Sequence, residues 1–232
     1  MESKPPNSCL LCSAMVPGLD TYKHKGMRQG LVDLLRDKGI SDERVLAAIN
    51  AVPRHTFMDP AFLGHAYEDK AFQIGEGQTI SQPYTVAYMS EWLEVEPGMR
   101  ILEVGTGSGY QACVLAEMGG NVYSIERFKK LSDTARKQLD ILGYQGVKTF
   151  FGDGYEGLPE LAPFDRIIIT AAAKEIPQAL LKQLRPGGIM VFPLGNDDDQ
   201  LMIKLTKTGE YDYRKEVGDN FRFVPMLPGK VI

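Results

Sequence analysis

Short apolar runs alternate with amphipathic stretches through most of the chain. The runs at 100–104, 121–125, 147–152 and 165–171 have the length and composition of buried strands. The stretches between them, at 110–118 and 131–142, carry apolar residues at helical spacing. A helix after Pro177, a strand at 189–194 and a hairpin formed by 201–205 and a segment after Gly209 complete the pattern. Strands that alternate with helices predict a doubly wound, mostly parallel sheet.

Two amphipathic helices precede this α/β pattern. The first is predicted at 27–38 and ends before Gly39, and the second is predicted to start at an N-cap, Ser41, and to end at Pro53. We expect them to form a lid on the fold. Residues 1–20 show no period and are predicted to be a disordered lead. The rest, 21–232, is predicted to be one domain, with a helical substrate-binding part at 21–98 and a cofactor-binding core at 99–232.

Three glycines follow the first strand of the core at alternate positions, Gly105, Gly107 and Gly109, and a helix starts directly after them. Glycine accepts positive φ angles and allows a ligand to approach the backbone. The helix start adds free N–H groups and a partial positive charge. This turn therefore predicts a site for a nucleotide-like ligand.

The spacing of the turn decides between two ligands. The dinucleotide fingerprint requires a third glycine where this chain has Tyr110. Glu103 precedes the turn, and a carboxylate there would repel a pyrophosphate but could pair with a cationic ligand. Glu126 ends the second strand, where it could accept hydrogen bonds from both hydroxyls of a ribose. A ribose is common to many nucleotides, so Glu126 supports a nucleoside without choosing one.

Other polar groups fall at the same predicted sheet edge. Asp153, between two glycines, could accept from an adenine amino group, and Thr170 ends the fourth strand. Thr79, Ser81 and Gln82 come just before Pro83, which suits the first turn of a helix. A helix N-terminus can bind a carboxylate, although an ordinary helix cap is the alternative.

Composition excludes several classes of function. The net charge of −4 gives no basic field for nucleic acid, and no apolar run has the length of a membrane span. Cys9 and Cys12 lack a second pair that would complete a zinc site, and free thiols fit a reducing cytoplasm. His55 and His65 offer too few ligands for a metal, so surface or capping roles are expected.

The motifs together resemble a known family. The pattern Glu103-x-Gly105-x-Gly107-x-Gly109 resembles motif I of class I S-adenosylmethionine-dependent methyltransferases. The run at 75–83, which contains Thr-Ile-Ser-Gln-Pro, is similar to the signature of the protein-L-isoaspartate O-methyltransferases. Blocks at 123–127, 152–157 and 221–225 match the remaining blocks of that family in its order, so the resemblance covers roughly 24–225. Departures are Gln73 and Ala173-Lys174, where the family usually has prolines.

This resemblance implies a Rossmann-like sheet of the class I methyltransferase type, with an N-terminal helical lid and a C-terminal antiparallel hairpin. It implies an enzyme that transfers a methyl group from S-adenosyl-L-methionine to the free carboxylate of L-isoaspartyl residues and releases S-adenosyl-L-homocysteine. The methyl ester then closes to a succinimide, which hydrolyses in part to normal aspartate. The expected partners are damaged proteins and peptides, with no nucleic acid and no membrane, and a cytoplasmic monomer is expected.

The same resemblance assigns the residues of the site. Ser81 is the expected catalytic residue, as a donor that orients the substrate carboxylate. The expected cofactor-binding residues are Glu103, Gly105, Thr106, Gly107, Gly109, Glu126, Asp153, Gly154 and Thr170. The expected substrate-binding residues are Thr79, Ile80, Ser81, Gln82, Val224 and Pro225. No metal ligand is expected, and the sequence leaves open whether His65, Asp69 and Lys70 touch the substrate.

Two alternatives remain at this point. One is a class I methyltransferase that acts on a small molecule or a nucleic acid, because it would share every cofactor feature. The sequence after the fourth strand, Thr170-Ala171-Ala172-Ala173, lacks an Asn-Pro-Pro-Tyr-type motif for amino methylation. The other is a binding module that keeps the fold as an inactive scaffold, against which the intact acids and Ser81 argue.

Overall fold

A computed structural model describes residues 20–196, 199–210 and 212–232. Almost all of the predicted lead at 1–20, with Cys9 and Cys12, therefore lies outside the described residues. Asp197, Asp198 and Tyr211 lie outside them as well.

The core is a seven-stranded sheet formed by β3 (Arg100–Val104), β4 (Asn121–Glu126), β5 (Lys148–Phe151), β6 (Phe164–Ile169), β7 (Leu184–Asn196), β8 (Asp199–Lys207) and β9 (Tyr213–Phe221). The strand order is β5-β4-β3-β6-β7-β8-β9. β3 to β7 pair in parallel, whereas β8 and β9 are antiparallel, so the predicted doubly wound sheet with a closing hairpin is confirmed.

β3 occupies the position that matters most for the site. It pairs with β4 on one side and with β6 on the other, so successive strands are added in opposite directions from it. In open α/β sheets, a crevice forms at the carboxyl ends of the strands at such a switch point. The glycine turn follows β3 directly. The fold therefore places this turn at the crevice.

Six α-helices cover the sheet and its edges in the described part of the chain. They are α1 (Tyr22–Asp37), α2 (Glu43–Ala51), α3 (Pro83–Leu93), α4 (Tyr110–Glu117), α5 (Lys129–Ile141) and α6 (Gln178–Gln183). The predicted cap of α2 is wrong by one residue. Asp42 is the N-cap and accepts from the backbone N–H of Arg44, while the backbone N–H and hydroxyl of Ser41 donate to Glu91.

The segment between α2 and α3 holds more structure than its sequence indicates. It contains two 3-10 helices, Arg54–Phe57 and Pro60–His65, and a small antiparallel hairpin. The strands of that hairpin are β1 (Phe72–Gly75) and β2 (Gln78–Ile80). Its turn needs positive φ at two residues, 52° at Glu76 and 67° at Gly77. The hairpin carries Thr79 and Ile80 to the start of α3. A third short 3-10 helix, Pro159–Leu161, precedes β6.

The core lies on both faces of the sheet because the central strands are apolar on both sides. Ile101 belongs to a cluster formed with the N-terminal helices and α4, whereas Leu102 and Val104 belong to a cluster with α6 and β7. Glu103 lies on the same side of the strand as Ile101 and is the one acid inside β3. The strand pattern that buries its neighbours therefore also buries this carboxyl group.

Candidate active site

The glycine turn is fixed by hydrogen bonds to the neighbouring strand. Gly105 and Thr106 donate their backbone N–H groups to the carbonyl of Ile125, at 2.9 and 3.3 Å. Gly107 donates its N–H to Oε2 of Glu126 at 2.9 Å. The turn therefore lies over the end of β4, and Glu126 belongs to it.

At two of these glycines the backbone conformation or the space around it disfavours any other residue. Gly105 has a φ of 99°, and a Cβ there would lie 2.5 Å from Oγ1 of Thr170. Gly107 has a φ of 52°, and a Cβ there would meet only Cδ1 of Ile74, at 3.5 Å. The side of Gly107 is thus open toward the crevice, as a ligand that approaches the backbone requires.

A cavity, the cofactor cavity, opens beside this turn at the carboxyl ends of β3, β4 and β6. Its walls come from the glycine turn, the end of β4, the segment before α3 and the C-terminal segment. The lining residues are Gln78, Thr79, Ile80, Ser81, Val86, Val104, Gly105, Thr106, Gly107, Ser108, Tyr110, Gln111, Ile125, Glu126, Arg127, Phe128, Gly154, Thr170, Ala171, Val224, Pro225, Met226 and Leu227.

Most of the residues expected at the site fall on these walls. Of the expected cofactor set, the cavity is lined by Gly105, Thr106, Gly107, Glu126, Gly154 and Thr170. Of the expected substrate set, it is lined by Thr79, Ile80, Ser81, Val224 and Pro225. An acid at the end of β4, open backbone at Gly107 and an apolar wall together fit a nucleoside with a charged tail.

Glu103 does not line the cavity, which corrects its expected contact with a cationic ligand. It is fully buried behind the turn, where Ser124 donates its hydroxyl to Oε2 and Thr106 bonds to Ser124 at 2.6 Å. Among the described residues, none forms a hydrogen bond with Oε1 of Glu103. Burial raises the pKa of Glu103 to about 8, against the opposing effect of the Ser124 hydrogen bond. The side chain therefore supports the turn as a neutral acid at neutral pH.

Asp153 and Gly109 also lie outside the cavity lining. Asp153 accepts from the backbone N–H groups of Tyr155 at 2.8 Å and Gly229 at 2.6 Å, so it ties two segments together. Gly109 is the N-cap of α4, with a φ of 90° and with its open side against Leu139. Asp153 is absent from the cavity lining, so this arrangement gives no direct support to its expected contact with an adenine, which stays a prediction.

The C-terminal segment forms one wall of the cavity through backbone pairing. Ala172 donates its N–H to the carbonyl of Val224, and Met226 donates to the carbonyl of Ala172, each at 2.8 Å. This pairing sets Val224 and Pro225 beside the end of β6. Thr170, at the same end, lines the cavity but donates its hydroxyl to backbone carbonyls such as that of Gly105, at 2.8 Å.

The start of α3 is capped by a side chain that the sequence did not suggest. The N-cap residue is Gln82, which makes no side-chain cap hydrogen bond, so Ser81 is not the cap. Asp69 accepts instead from the backbone N–H of Tyr84 at 2.8 Å and from Nε2 of Gln82 at 3.0 Å. The N–H group expected to receive a substrate carboxylate thus already binds one from the protein itself.

The charge of Asp69 is held by the same contacts. Burial works to raise its pKa, but hydrogen bonds from Lys38, from the Tyr84 backbone and from Gln82 outweigh it and keep the pKa below the ordinary value of 3.8. Asp69 is therefore ionised at neutral pH. It braces the segment that carries Ser81.

A second cavity adjoins the first and has a volume of about 650 Å³. Thr79, Ser81, Thr170 and Val224 line both cavities, so they form the junction between them. Gln82 of the expected substrate set lines this second cavity instead of the first. A ligand bound in one cavity would therefore meet a ligand bound in the other beside Ser81.

The histidines lie away from both cavities. His65 is exposed, as expected, and bonds to Glu68 at 2.7 Å. The expectation is wrong for His55, which is buried, bonds to the Tyr67 hydroxyl at 2.6 Å and has its ring centroid 3.8 Å from that of His24. His24, His55 and Asp20 offer ligand atoms within 4.8 Å of one another.

The carboxylate of that group is already engaged. Asp20 accepts two hydrogen bonds from Arg28, at 3.1 and 2.9 Å, and the two side chains are nearly buried. An ion there would have to share its carboxylate with a guanidinium. The arrangement favours a buried ion pair with adjacent histidines.

Comparison with known proteins agrees with this geometry. The family model for protein-L-isoaspartate(D-aspartate) O-methyltransferase matches residues 26–230, which is most of the chain. The chain belongs to this family. The resemblance inferred from the Thr-Ile-Ser-Gln-Pro run and the glycine turn is thereby confirmed.

Relatives within the family are close in sequence and in length. The chain is 55% identical over 208 residues to a protein-L-isoaspartate O-methyltransferase of Cytophaga hutchinsonii, which covers 90% of this chain and 94% of that protein. It is 52% identical to the enzyme of the same name from Christiangramia forsetii, over 91% of this chain and 99% of that protein.

Solved structures share the fold. A protein-L-isoaspartate O-methyltransferase matches with a TM-score of 0.78 and 32% identity, over 85% of this chain and 65% of that chain. A structure from Plasmodium falciparum, a putative enzyme of this family in complex with S-adenosyl-L-homocysteine, matches with a TM-score of 0.74 and 26% identity, over 86% and 98%. In the described part of the chain, no helix is long and apolar enough to cross a membrane.

Some residues of the site were not predicted from the sequence pattern. Arg127 and Phe128 enter the cavity because they follow Glu126 at the end of β4, and their position gave a usable clue. Asp69 had none, because it lies in a segment without periodicity and acts on a helix that starts fourteen residues later, at Pro83. Contacts of this kind depend on the folded arrangement.

Proposed function

We propose that this protein methylates isoaspartyl carboxylates at the junction of the two cavities, beside Ser81. As a member of its family, it is an S-adenosylmethionine-dependent protein-L-isoaspartate O-methyltransferase that acts in protein repair. The observation that carries the proposal is that Thr79 and Ser81 line both cavities. The cofactor cavity would hold the methyl donor, and the isoaspartyl residue would enter from the second cavity.

When bound, S-adenosyl-L-methionine supplies a methyl group on a sulfonium, which is an activated donor. An isoaspartyl carboxylate is ionised at neutral pH and is already a nucleophile. The site therefore needs no general base, which agrees with the position of the histidines away from the cavities. Its task is to align the two reactants, an effect that can lower a barrier by about 7–11 kcal/mol.

Ser81 is the residue that we propose orients the substrate carboxylate. It is half-buried at the junction, and it is not engaged as the cap of α3. Its hydroxyl can donate one hydrogen bond to a carboxylate oxygen, worth about 1.5–3 kcal/mol for a charged partner. Asp69 binds the neighbouring residues Gln82 and Tyr84 and so supports the segment that carries this hydroxyl.

We propose that the cofactor is held mainly by Glu126 and the glycine turn. Glu126 would accept from the ribose hydroxyls, and Gly105, Thr106 and Gly107 would border its charged tail. Gly154 lines the cofactor cavity and would lie against the base. A Cβ there would come within 2.6 Å of Cγ1 of Val104, so packing against β3 also favours glycine at this position. Glu103, Gly109, Asp153 and Thr170 would act by shaping these walls.

A methyl-transfer assay on paired peptides tests the function. The two peptides differ only in one isoaspartyl or aspartyl linkage, and transfer to the isoaspartyl peptide alone is the expected result. If neither peptide is methylated but a small molecule or an RNA is, the result would favour the alternative methyltransferase. Calorimetric binding of S-adenosylmethionine without any transfer would favour an inactive scaffold.

We further propose that the protein acts on peptides as a cytoplasmic monomer and binds no nucleic acid. The net charge of −4 argues against nucleic acid as a partner. The free thiol of Cys113, whose pKa is raised by burial, fits a reducing compartment. Sedimentation velocity with and without an isoaspartyl peptide tests the oligomeric state.

A further inference from the structure

The second cavity has a wall of aromatic rings that the methyl-transfer step does not use. Tyr84, Phe221 and Phe223 line it, and each is partly buried against the hydrophobic core. The rings of Tyr84 and Phe221 are stacked, with centroids 6.2 Å apart, and those of Phe221 and Phe223 are 6.5 Å apart. Ala71, a small residue, leaves space beside them.

Two buried polar side chains fix this aromatic wall. Asp69 binds the backbone N–H of Tyr84 at 2.8 Å. Gln200, which is 2% exposed, accepts from the N–H of Phe223 at 2.6 Å and donates to its carbonyl at 3.1 Å. The wall is therefore formed before any ligand arrives, which lowers the entropy cost of binding.

Charge does not select the ligand of this cavity. Its lining includes one acid and one base, Asp219 and Arg222, whose charges offset each other. The rest of the lining combines the three aromatic rings with uncharged residues such as Gln82, Thr85 and Asn220. Apolar contact with the three rings is therefore the interaction by which this cavity can select a ligand.

We propose that the second cavity is a subsite for an aromatic or large aliphatic side chain on a residue adjacent to the isoaspartyl residue. The inference rests on the proposed function and deepens it, because it names the peptides that the enzyme prefers. The main support is that the two cavities are continuous at Thr79, Ser81, Thr170 and Val224. A residue next to the reacting one leaves this junction, and the second cavity begins there. Burial of a side chain against the three rings stabilises the complex through apolar area and ring contacts.

The test uses four isoaspartyl peptides, with Phe or Gly either directly before or directly after the isoaspartyl residue. We expect the wild-type enzyme to show a kcat/KM about 10-fold higher for Phe than for Gly at one of the two positions, an effect of the size of one buried ring contact. Phe221→Ala should reduce that ratio to about 2–3. The same substitution should lower kcat/KM much less for the Gly peptides.

Tyr213→Ala is the matched control. Tyr213 is an aromatic residue of the same strand, β9, is 37% exposed and does not line the cavity, so the Phe-to-Gly ratio should stay as in the wild type. If Phe221→Ala fails to fold, Tyr84→Ala replaces another ring of the wall and carries the same expectation. Binding of S-adenosylmethionine by each variant, measured by calorimetry, should match the wild type.

Three results would overturn the proposal. Equal kcat/KM for Phe and Gly at both positions would remove the subsite but leave the isoaspartyl reaction intact. If Phe221→Ala lowers kcat/KM by the same factor for the Phe and the Gly peptides, the aromatic wall has only a structural role. Transfer to none of the isoaspartyl peptides would contradict the proposed function, and the subsite with it.

Discussion

Gly107 donates its backbone N–H to Oε2 of Glu126 at 2.9 Å, so the glycine turn and the acid at the end of β4 form one unit. The other oxygen, Oε1, accepts from the N–H of Phe128 at 2.9 Å. A carboxylate has further lone pairs available after these two bonds. Glu126 can therefore hold the turn and bind ribose hydroxyls at the same time.

Replacement of Glu126 should separate those two tasks. Glu126→Ala removes both, and we expect the dissociation constant for S-adenosylmethionine to rise by roughly 10-fold or more. Glu126→Gln keeps a carbonyl oxygen for Gly107, so it should preserve the melting temperature better while still weakening binding. Isothermal titration calorimetry gives the affinities. An unchanged dissociation constant in Glu126→Ala would contradict the proposed contact.

Gly107→Val should prevent cofactor binding, because its side chain would project into the open side of the turn. The positive φ of 52° also costs about 1–2 kcal/mol for a residue with a Cβ. Gly143→Val is the control, since Gly143 has a φ of 85°, nothing within 4 Å and no place in the cavity lining. That variant should lose stability but bind the cofactor normally. If Gly107→Val binds S-adenosylmethionine as well as Gly143→Val does, the turn does not face the ligand.

Ser81→Ala should lower kcat/KM for isoaspartyl peptides by about 10- to 150-fold, as expected for one lost hydrogen bond to a charged group. The affinity for S-adenosylmethionine should change little. The free energy of unfolding should also change little, because Ser81 does not cap α3. Turnover and thermal melting are measured on the same preparation. A loss of stability with full turnover per folded molecule would remove Ser81 from the reaction.

Asp69→Ala should weaken the start of α3 by about 1–2 kcal/mol, the size of a helix-cap effect. The pKa of Asp69 lies below its ordinary value of 3.8, so its ionised form stabilises the folded state above that pH. This contribution is lost as the pH falls through the pKa of the folded state. The difference in unfolding free energy between wild type and variant should therefore narrow below about pH 3.8. A difference that stays constant down to pH 2 would contradict the cap.

Glu103→Gln should change how stability depends on pH in the opposite sense. The pKa of Glu103 rises from 4.5 to about 8 on folding, so the folded state keeps a proton that the unfolded state releases. Wild-type stability should therefore fall with rising pH between these values, by about 1.4 kcal/mol per pH unit from this group. The variant lacks this slope, so its stability relative to wild type should increase from pH 5 to pH 7.

Denaturant unfolding at several pH values measures that slope, and Glu160→Gln serves as the control because Glu160 is exposed on a 3-10 helix. This control should follow the wild type across the range. Parallel curves for Glu103→Gln and wild type would mean that the buried carboxyl is ionised in the folded protein.

The elements that could be predicted from the sequence are those set by local pattern. The glycine turn, the acid at the end of β4 and the helix start at Pro83 each follow from a few neighbouring residues and their required geometry. The alternation of strands and helices along the chain was sufficient to predict the parallel sheet. These predictions succeeded because backbone conformation and hydrophobic periodicity act over short distances.

The rest depends on contacts between distant segments. The role of Asp69 requires a loop to fold back on α3, and the burial of Glu103 depends on what covers that face of β3. The hairpin of β1 and β2 turns at Glu76, a residue that seldom takes the positive φ of 52° that it has there. No local pattern specifies such features.

The pairing of the C-terminal segment with Ala172 has a consequence for the order in which the protein is made. Val224 and Met226 form one wall of the cofactor cavity, and Val231 pairs with the backbone beside Phe128 on another. Strands β3, β4 and β6 leave the ribosome well before these residues do. A nascent chain can therefore assemble most of its sheet while still lacking a closed binding site. The cofactor cavity therefore lacks this wall until residues 224–231 have been synthesised.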